Sequence, residues 1–174
     1  MTRKEKAMQS FLDGYNCSQS ILLAFEDLIT IDMKTALQIA SPYGGGMGRL
    51  REVCGSVSGM FMVLGYMKGY DDPKDYDSKK QLYEHVQELA RRFEEKNGSI
   101  VCRNLLGLSV QKEAATPSVR TEEYYKKRPC KELIGCAAEI LEDYLREINV
   151  ILVLMKRIWL SLKVFLEILM VFSL

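Results

Sequence analysis

The chain has 174 residues, 24 Lys and Arg against 23 Asp and Glu, a formal charge of +1, and 48% hydrophobic residues. That length suits one domain with room for a terminal appendage, and the apolar share suits a packed core. The balanced charge lacks the basic surplus of a nucleic-acid binder. With His85 as the single histidine, a His-rich metal site is excluded, and any Ser-His-Asp or Cys-His mechanism would rest on that residue alone.

Helical periodicity separated by glycine and proline dominates, and strand-type alternation is nearly absent. A first helix is predicted over about Arg3–Asp13, stopped by Gly14. Asn16 is a good N-cap for a second helix starting at Cys17, and Asp32 for a short third one, Met33 to about Ala40. After the loop Gly44-Gly45-Gly46-Met47-Gly48, a fourth helix is predicted from about Leu50 to Tyr66. It is apolar on most sides and therefore central. Its Gly55 and Gly59 lie on one face, where a helix tolerates glycine, at up to about 1 kcal/mol each, if another backbone or a cofactor comes close.

A longer amphipathic helix is predicted over about Asp75–Asn97, stopped by Gly98. Ser99 can cap a short helix holding Cys102, and residues 108–120 read as a surface loop. Pro129 sits in the first turn of a helix from about Cys130 to Leu145. The charge runs Arg91-Arg92 and Lys126-Lys127-Arg128 read as solvated faces. The fold expected is all-α, a compact bundle of six or seven helices over residues 1–147 with an additional apolar helix over 148–174.

That last segment is apolar at 20 of 27 positions and carries Lys156 and Arg157 near its middle, a poor composition for a membrane span. It is expected to bury against the body, a second subunit or a partner, with Lys156, Lys163 and Glu167 outward. A membrane-surface helix is the less favoured alternative. The opening Met1-Thr2-Arg3-Lys4-Glu5-Lys6 leads into no apolar run, so no signal peptide is expected and the cytoplasm is the expected compartment.

Five cysteines are too odd a set for a secreted disulfide scaffold. Cys17, Cys54, Cys102 and Cys130 each fall within about a turn of a predicted helix start, where unpaired N–H groups and the helix dipole favour a thiolate. Both metal ligation and thiol–disulfide exchange need that thiolate. Cys136 lies inside the last helix and reads as a packed thiol. No C-x-x-C is present, so the cysteines can also be read as small core residues.

Asn16-Cys17-Ser18-Gln19, Gly44 to Arg49, Cys54-Gly55-Ser56-Val57-Ser58-Gly59, Cys102-Arg103-Asn104-Leu105-Leu106-Gly107 and Cys130-Lys131-Glu132-Leu133-Ile134 occur in that order. Over about residues 5–145 the chain resembles the redox-active protein family named for its C…GCAxxG…C…C pattern. The resemblance implies that Cys17, Cys54, Cys102 and Cys130 are the family's four cysteines and that Cys136 is not among them. Ser56 stands where the family usually has alanine, adding a hydroxyl that could hydrogen-bond a nearby sulfur. Some relatives resemble split-Soret cytochromes, which carry haem and an iron–sulfur centre. Without a C-x-x-C-H, this chain is not expected to hold covalent haem, whereas a cluster on four thiolates fits.

The glycine loop has two readings. It is a tight turn that lets the fourth helix pack close to the Cys17 helix, or a nest of backbone N–H groups, with Arg49 and Arg51 adding charge, around a cofactor. On the second reading Gly45, Gly46, Gly48, Gly55 and Ser56 are cofactor-binding residues. It is neither a Walker loop nor a dinucleotide fingerprint, since no Lys-Ser/Thr follows and no strand precedes it.

The function expected is redox chemistry by Cys17, Cys54, Cys102 and Cys130. First comes an iron–sulfur centre passing electrons to a redox partner protein, because four thiolates at four helix starts suit one shared anionic centre. The alternatives are metal-free dithiol/disulfide exchange and a non-enzymatic helical interaction module.

Overall fold

The computed structural model describes residues 1–109 and 112–149. Local capping sets where the first helices begin. α1 (Arg3–Leu12) and α2 (Cys17–Ala24) each open with a reciprocal pair, Thr2 with Glu5 and Asn16 with Gln19, that satisfies two orphan donors at once. Asp32 accepts from the Thr35 N–H to open α3 (Met33–Ala40). Asp75 does the same with Ser78 for α5 (Tyr76–Asn97), which ends at Gly98 in the left-handed region with φ 81°.

α4 (Gly55–Lys68) is the centre. Val57, Met60, Val63 and Leu64 have no solvent exposure. Its glycines let α2 come close: a Cβ on Gly55 would stand 2.9 Å from Cys17 Cβ, and one on Gly59 would stand 2.8 Å from Ile21 Cβ. The buried core also takes in Phe11 of α1, Leu89 and Phe93 of α5, and Ile134, Ala137 and Leu141 of a last helix, α8, whose helical residues run from 130 to 149. α6 (Cys102–Leu105) and α7 (Glu122–Lys127) are short. Among the described residues there is no strand, so the chain is all-α as expected; one isolated antiparallel bridge joins Val53 and Val101.

Two boundaries differ from the periodicity. The fourth helix starts at Gly55 rather than near Leu50, because Arg49 and Arg51 take φ of 70° and 64° and Val53 pairs with Val101. Gly45, Gly46, Met47 and Gly48 also have positive φ, so 45–49 is a left-handed turn. α7, capped by the Thr121 hydroxyl, follows the non-helical residues 112–120, in a stretch where no helix was expected. Ser99 is not the N-cap of α6, which is Val101. Instead the Ser99 hydroxyl accepts from Val101 N–H and from Asn104 Nδ2.

The chain divides into two compact units, Met1–Leu141 and Glu142–Leu174. In the second, 142–149 are helical and Arg146 pairs with Glu142 at 2.7 Å. From residue 150 on, the apolar segment 148–174 lies outside the described residues.

Candidate functional site

The four cysteines singled out by position are each the first residue or the N-cap of a helix. Cys17 opens α2, Cys102 opens α6, Cys54 is the N-cap of α4, and 130 is the first helical residue after Pro129. Cys54 and Cys102 are brought together by main-chain pairing of 51–54 with 100–103. Cys54 N–H donates to Ile100 O at 2.8 Å, Cys102 N–H to Glu52 O at 2.6 Å, and Arg103 N–H to Arg51 O at 3.1 Å.

All four are free thiols, and all four line one cavity of about 60 Å3, room for a few water molecules. Gly45, Gly46 and Gly55 line it too. A Cβ on Gly46 would lie 2.6 Å from Cys102 Cβ and one on Gly44 2.6 Å from Asn16 Cγ. The glycine loop thus serves the close packing of Cys102 and of the cap that opens the Cys17 helix. Gly48 is not among the lining residues; its left-handed φ of 61° belongs to the turn itself. Cys136 is elsewhere, its sulfur accepting from Asn97 Nδ2 at 3.4 Å.

Sulfur chemistry is uneven around the cavity. The neighbouring Cys130 thiol pushes Cys17 well above the usual thiol range, with burial adding to it. The same pairing holds Cys130 below that range, helped by the guanidinium groups of Arg128, Arg51 and Arg120. Burial lifts Cys54 to about 11 despite the Ser56 hydroxyl 3.0 Å from its sulfur. Burial also raises Cys102, although Arg51 Nη1 stands 3.7 Å from its sulfur and works the other way.

Sequence reasoning placed the charge of Arg51 beside a cofactor but missed its burial and the rest of the cationic wall. Arg51 is 2% exposed, and its Nε is buried with no hydrogen-bond partner among the described residues. Arg128, read as part of a solvated charge run, lines the cavity and lies over the Tyr124 ring, whereas Lys126 and Lys127 are exposed and pair with Glu122 and Glu123. Arg120, placed on a surface loop, also lines the cavity, and its Nη1 donates to Phe11 O and Tyr15 O. A basic residue just before the Cys130 helix was the available signal for Arg128; nothing local marks Arg51 as buried.

Among the described residues, no three His, Cys, Asp or Glu side chains stand close enough together to hold a metal ion. A single tetrahedral ion bonds sulfur at about 2.3 Å and so draws its ligands to within about 4 Å of one another. A cluster interposes its own iron and sulfide and needs no such closeness. The donor set of four cysteines, the arginines and the orphaned Arg51 Nε fits an anionic multi-atom centre. Against known proteins, residues 15–144 match the family described as "Putative redox-active protein (C_GCAxxG_C_C)". No curated protein and no solved structure matches the chain.

Proposed function

The chain belongs to this redox-active protein family, and from that membership and the four-thiol cavity we propose an electron-transfer protein whose Cys17, Cys54, Cys102 and Cys130 hold an iron–sulfur centre. The carrying observation is that four helix starts deliver four cysteines to one small cavity walled by Arg51, Arg120 and Arg128. Four thiolates lining one small cavity would repel one another in the absence of a positive partner. An iron–sulfur core supplies that partner, and the helix N-termini and guanidinium groups offset the net negative charge that remains. When bound, such a centre supplies one-electron chemistry. The chain's own part is to supply the ligands, exclude water and tune the potential by hydrogen bonds to sulfur. The electrons pass to and from a redox partner protein, in the cytoplasm.

One observation favours a second reading. Cys17 and Cys130 line the same cavity, and Cys130, depressed beside three arginines, has the character of an attacking thiolate with a thiol partner. Here Cys17 and Cys130 would together lose two electrons and two protons to an oxidising disulfide or partner protein and form one S–S bond.

A visible spectrum with iron and sulfide analysis of anaerobically purified protein separates the two. A cluster gives a coloured protein with bound iron and sulfide. Cys→Ala at 17, 54, 102 or 130 then bleaches it and lowers stability, since losing a ligand affects folding and binding together, while Cys136→Ala does not. The dithiol reading gives colourless protein in which Cys130 alkylates fast at pH 7. If no iron is found and all four thiols react at an unperturbed rate, both redox readings fail and a helical interaction module remains.

A further inference from the structure

Arg51 pays twice for its position. At φ 64° it sits in the left-handed region, which sterically disfavours an L-residue. Its guanidinium is also buried, and a buried cation is costly unless paired. Both costs are met around one sulfur. The main-chain oxygen of Arg51 accepts from Arg103 N–H, in the helix that Cys102 opens. Nη1 points at the Cys102 sulfur, 3.7 Å away, and at Gly45 O, 3.4 Å away. Nη2 pairs with Glu113, a carboxylate that also faces Arg49 Nη2 at 3.3 Å. Nε keeps no partner among the described residues. Scaffold duty would be met by the main chain and the Glu113 pair alone; it does not require a donor aimed at sulfur or a second one held unpaired beside the cavity.

We propose that Arg51 is the positioning residue that sets the reduction potential of the sulfur centre, with Glu113 as its counterweight. This rests on the redox reading of the cavity but not on which chemistry fills it. Adding electrons places negative charge on a cluster, whose Cys102 ligand Arg51 faces, or yields a Cys130 thiolate that the Arg51 charge stabilises across the cavity, and in both cases the guanidinium favours the reduced form. Arginine remains charged throughout. Its removal therefore lowers the potential. Neutralising Glu113 leaves the cation less compensated and raises it.

The test is an equilibrium redox titration of the full chain, followed by the chromophore if coloured and by thiol-trapping mass shift if not, for wild type, Arg51→Met, Arg51→Lys and Glu113→Gln. Arg51→Met is expected to change the equilibrium constant about tenfold toward oxidation. That is about 59 mV downward for a one-electron centre, or about 30 mV for a two-electron dithiol. Arg51→Lys falls between it and wild type, because the charge stays while the planar donor set is lost. Glu113→Gln moves upward. Should Arg51→Met fail to fold, Glu113→Gln, at a half-buried position, decides alone. A Glu113→Gln protein that titrates at the wild-type potential overturns this proposal only. A wild type with no redox couple overturns the redox reading and this proposal with it.

Discussion

Replacing Gly59 by alanine tests the packing that places the Cys17 helix against α4. Alanine improves helix propensity by up to about 1 kcal/mol over glycine, which by itself would stabilise α4. At Gly59, however, the new methyl would lie 2.8 Å from Ile21 Cβ and 3.1 Å from both Ile21 Cγ1 and Ser18 O. Ile21 is fully buried and Ser18 O is main chain, so nothing there can swing away, and overpacking of this kind costs about 1–3 kcal/mol. Gly65, in the same helix, has nothing within 4 Å of its would-be Cβ. It reports propensity alone. Gly65→Ala should therefore be as stable as wild type or up to about 1 kcal/mol more so, and Gly59→Ala should lie about 1–3 kcal/mol below Gly65→Ala. At about 2–4 °C per kcal/mol for a chain of this size, thermal unfolding followed by circular dichroism resolves that gap. Gly59→Ala should also displace α2 and so perturb Cys17 chemistry. Equal stabilisation by the two substitutions would refute the close approach of α2 and α4.

Asn16→Ala removes the acceptor for Gln19 N–H and the donor to Ser41 O at 3.0 Å, and should cost about 1–2 kcal/mol in urea unfolding. In the reduced, metal-free protein, Cys54 at about 11 and the raised Cys17 and Cys102 contribute stability that is complete below the unfolded thiol value. It is lost as pH climbs through their folded values. Cys130, shifted down, contributes with the opposite sign, above its unfolded value, so three groups outweigh one. Denaturant midpoints should therefore fall between pH about 8.5 and about 11, and Cys54→Ala should flatten part of the fall. In limited alkylation of the same protein near neutral pH, mapped by mass spectrometry, Cys130 should label first and Cys54 last. Early labelling of Cys54 would contradict its burial.

What the sequence made legible is what local chemistry decides. Asn16 before Cys17, Asp32 before Met33 and Pro129 before Cys130 mark helix starts that the structure keeps, because a cap acts within a single turn. The Gly55/Gly59 spacing announced a close neighbour and met α2. The start of α4 was not legible, because Val101, a distant partner, holds Val53 extended and because Arg49 and Arg51 take a conformation their own propensities disfavour. The burial of Arg51 depends on Glu113 and Cys102, which lie far along the chain, so no window around Arg51 contains the reason for it.

The pairing of 51–54 with 100–103 spans the whole of α4 and α5, and the other two cavity cysteines, Cys17 and Cys130, lie toward opposite ends of the first unit. No fragment short of nearly the entire unit contains the cavity, so it closes only after the Cys130 helix has been synthesised and docked. Chemistry at the cavity is then coupled to completion of the fold. A covalent link from Cys17 to Cys130 would tie off a loop of roughly a hundred residues, and such a loop removes about 4.7 kcal/mol of unfolded-chain freedom. Set against the roughly 5–15 kcal/mol that holds a domain together, oxidation would change how long the protein survives unfolding stress as well as what it reacts with.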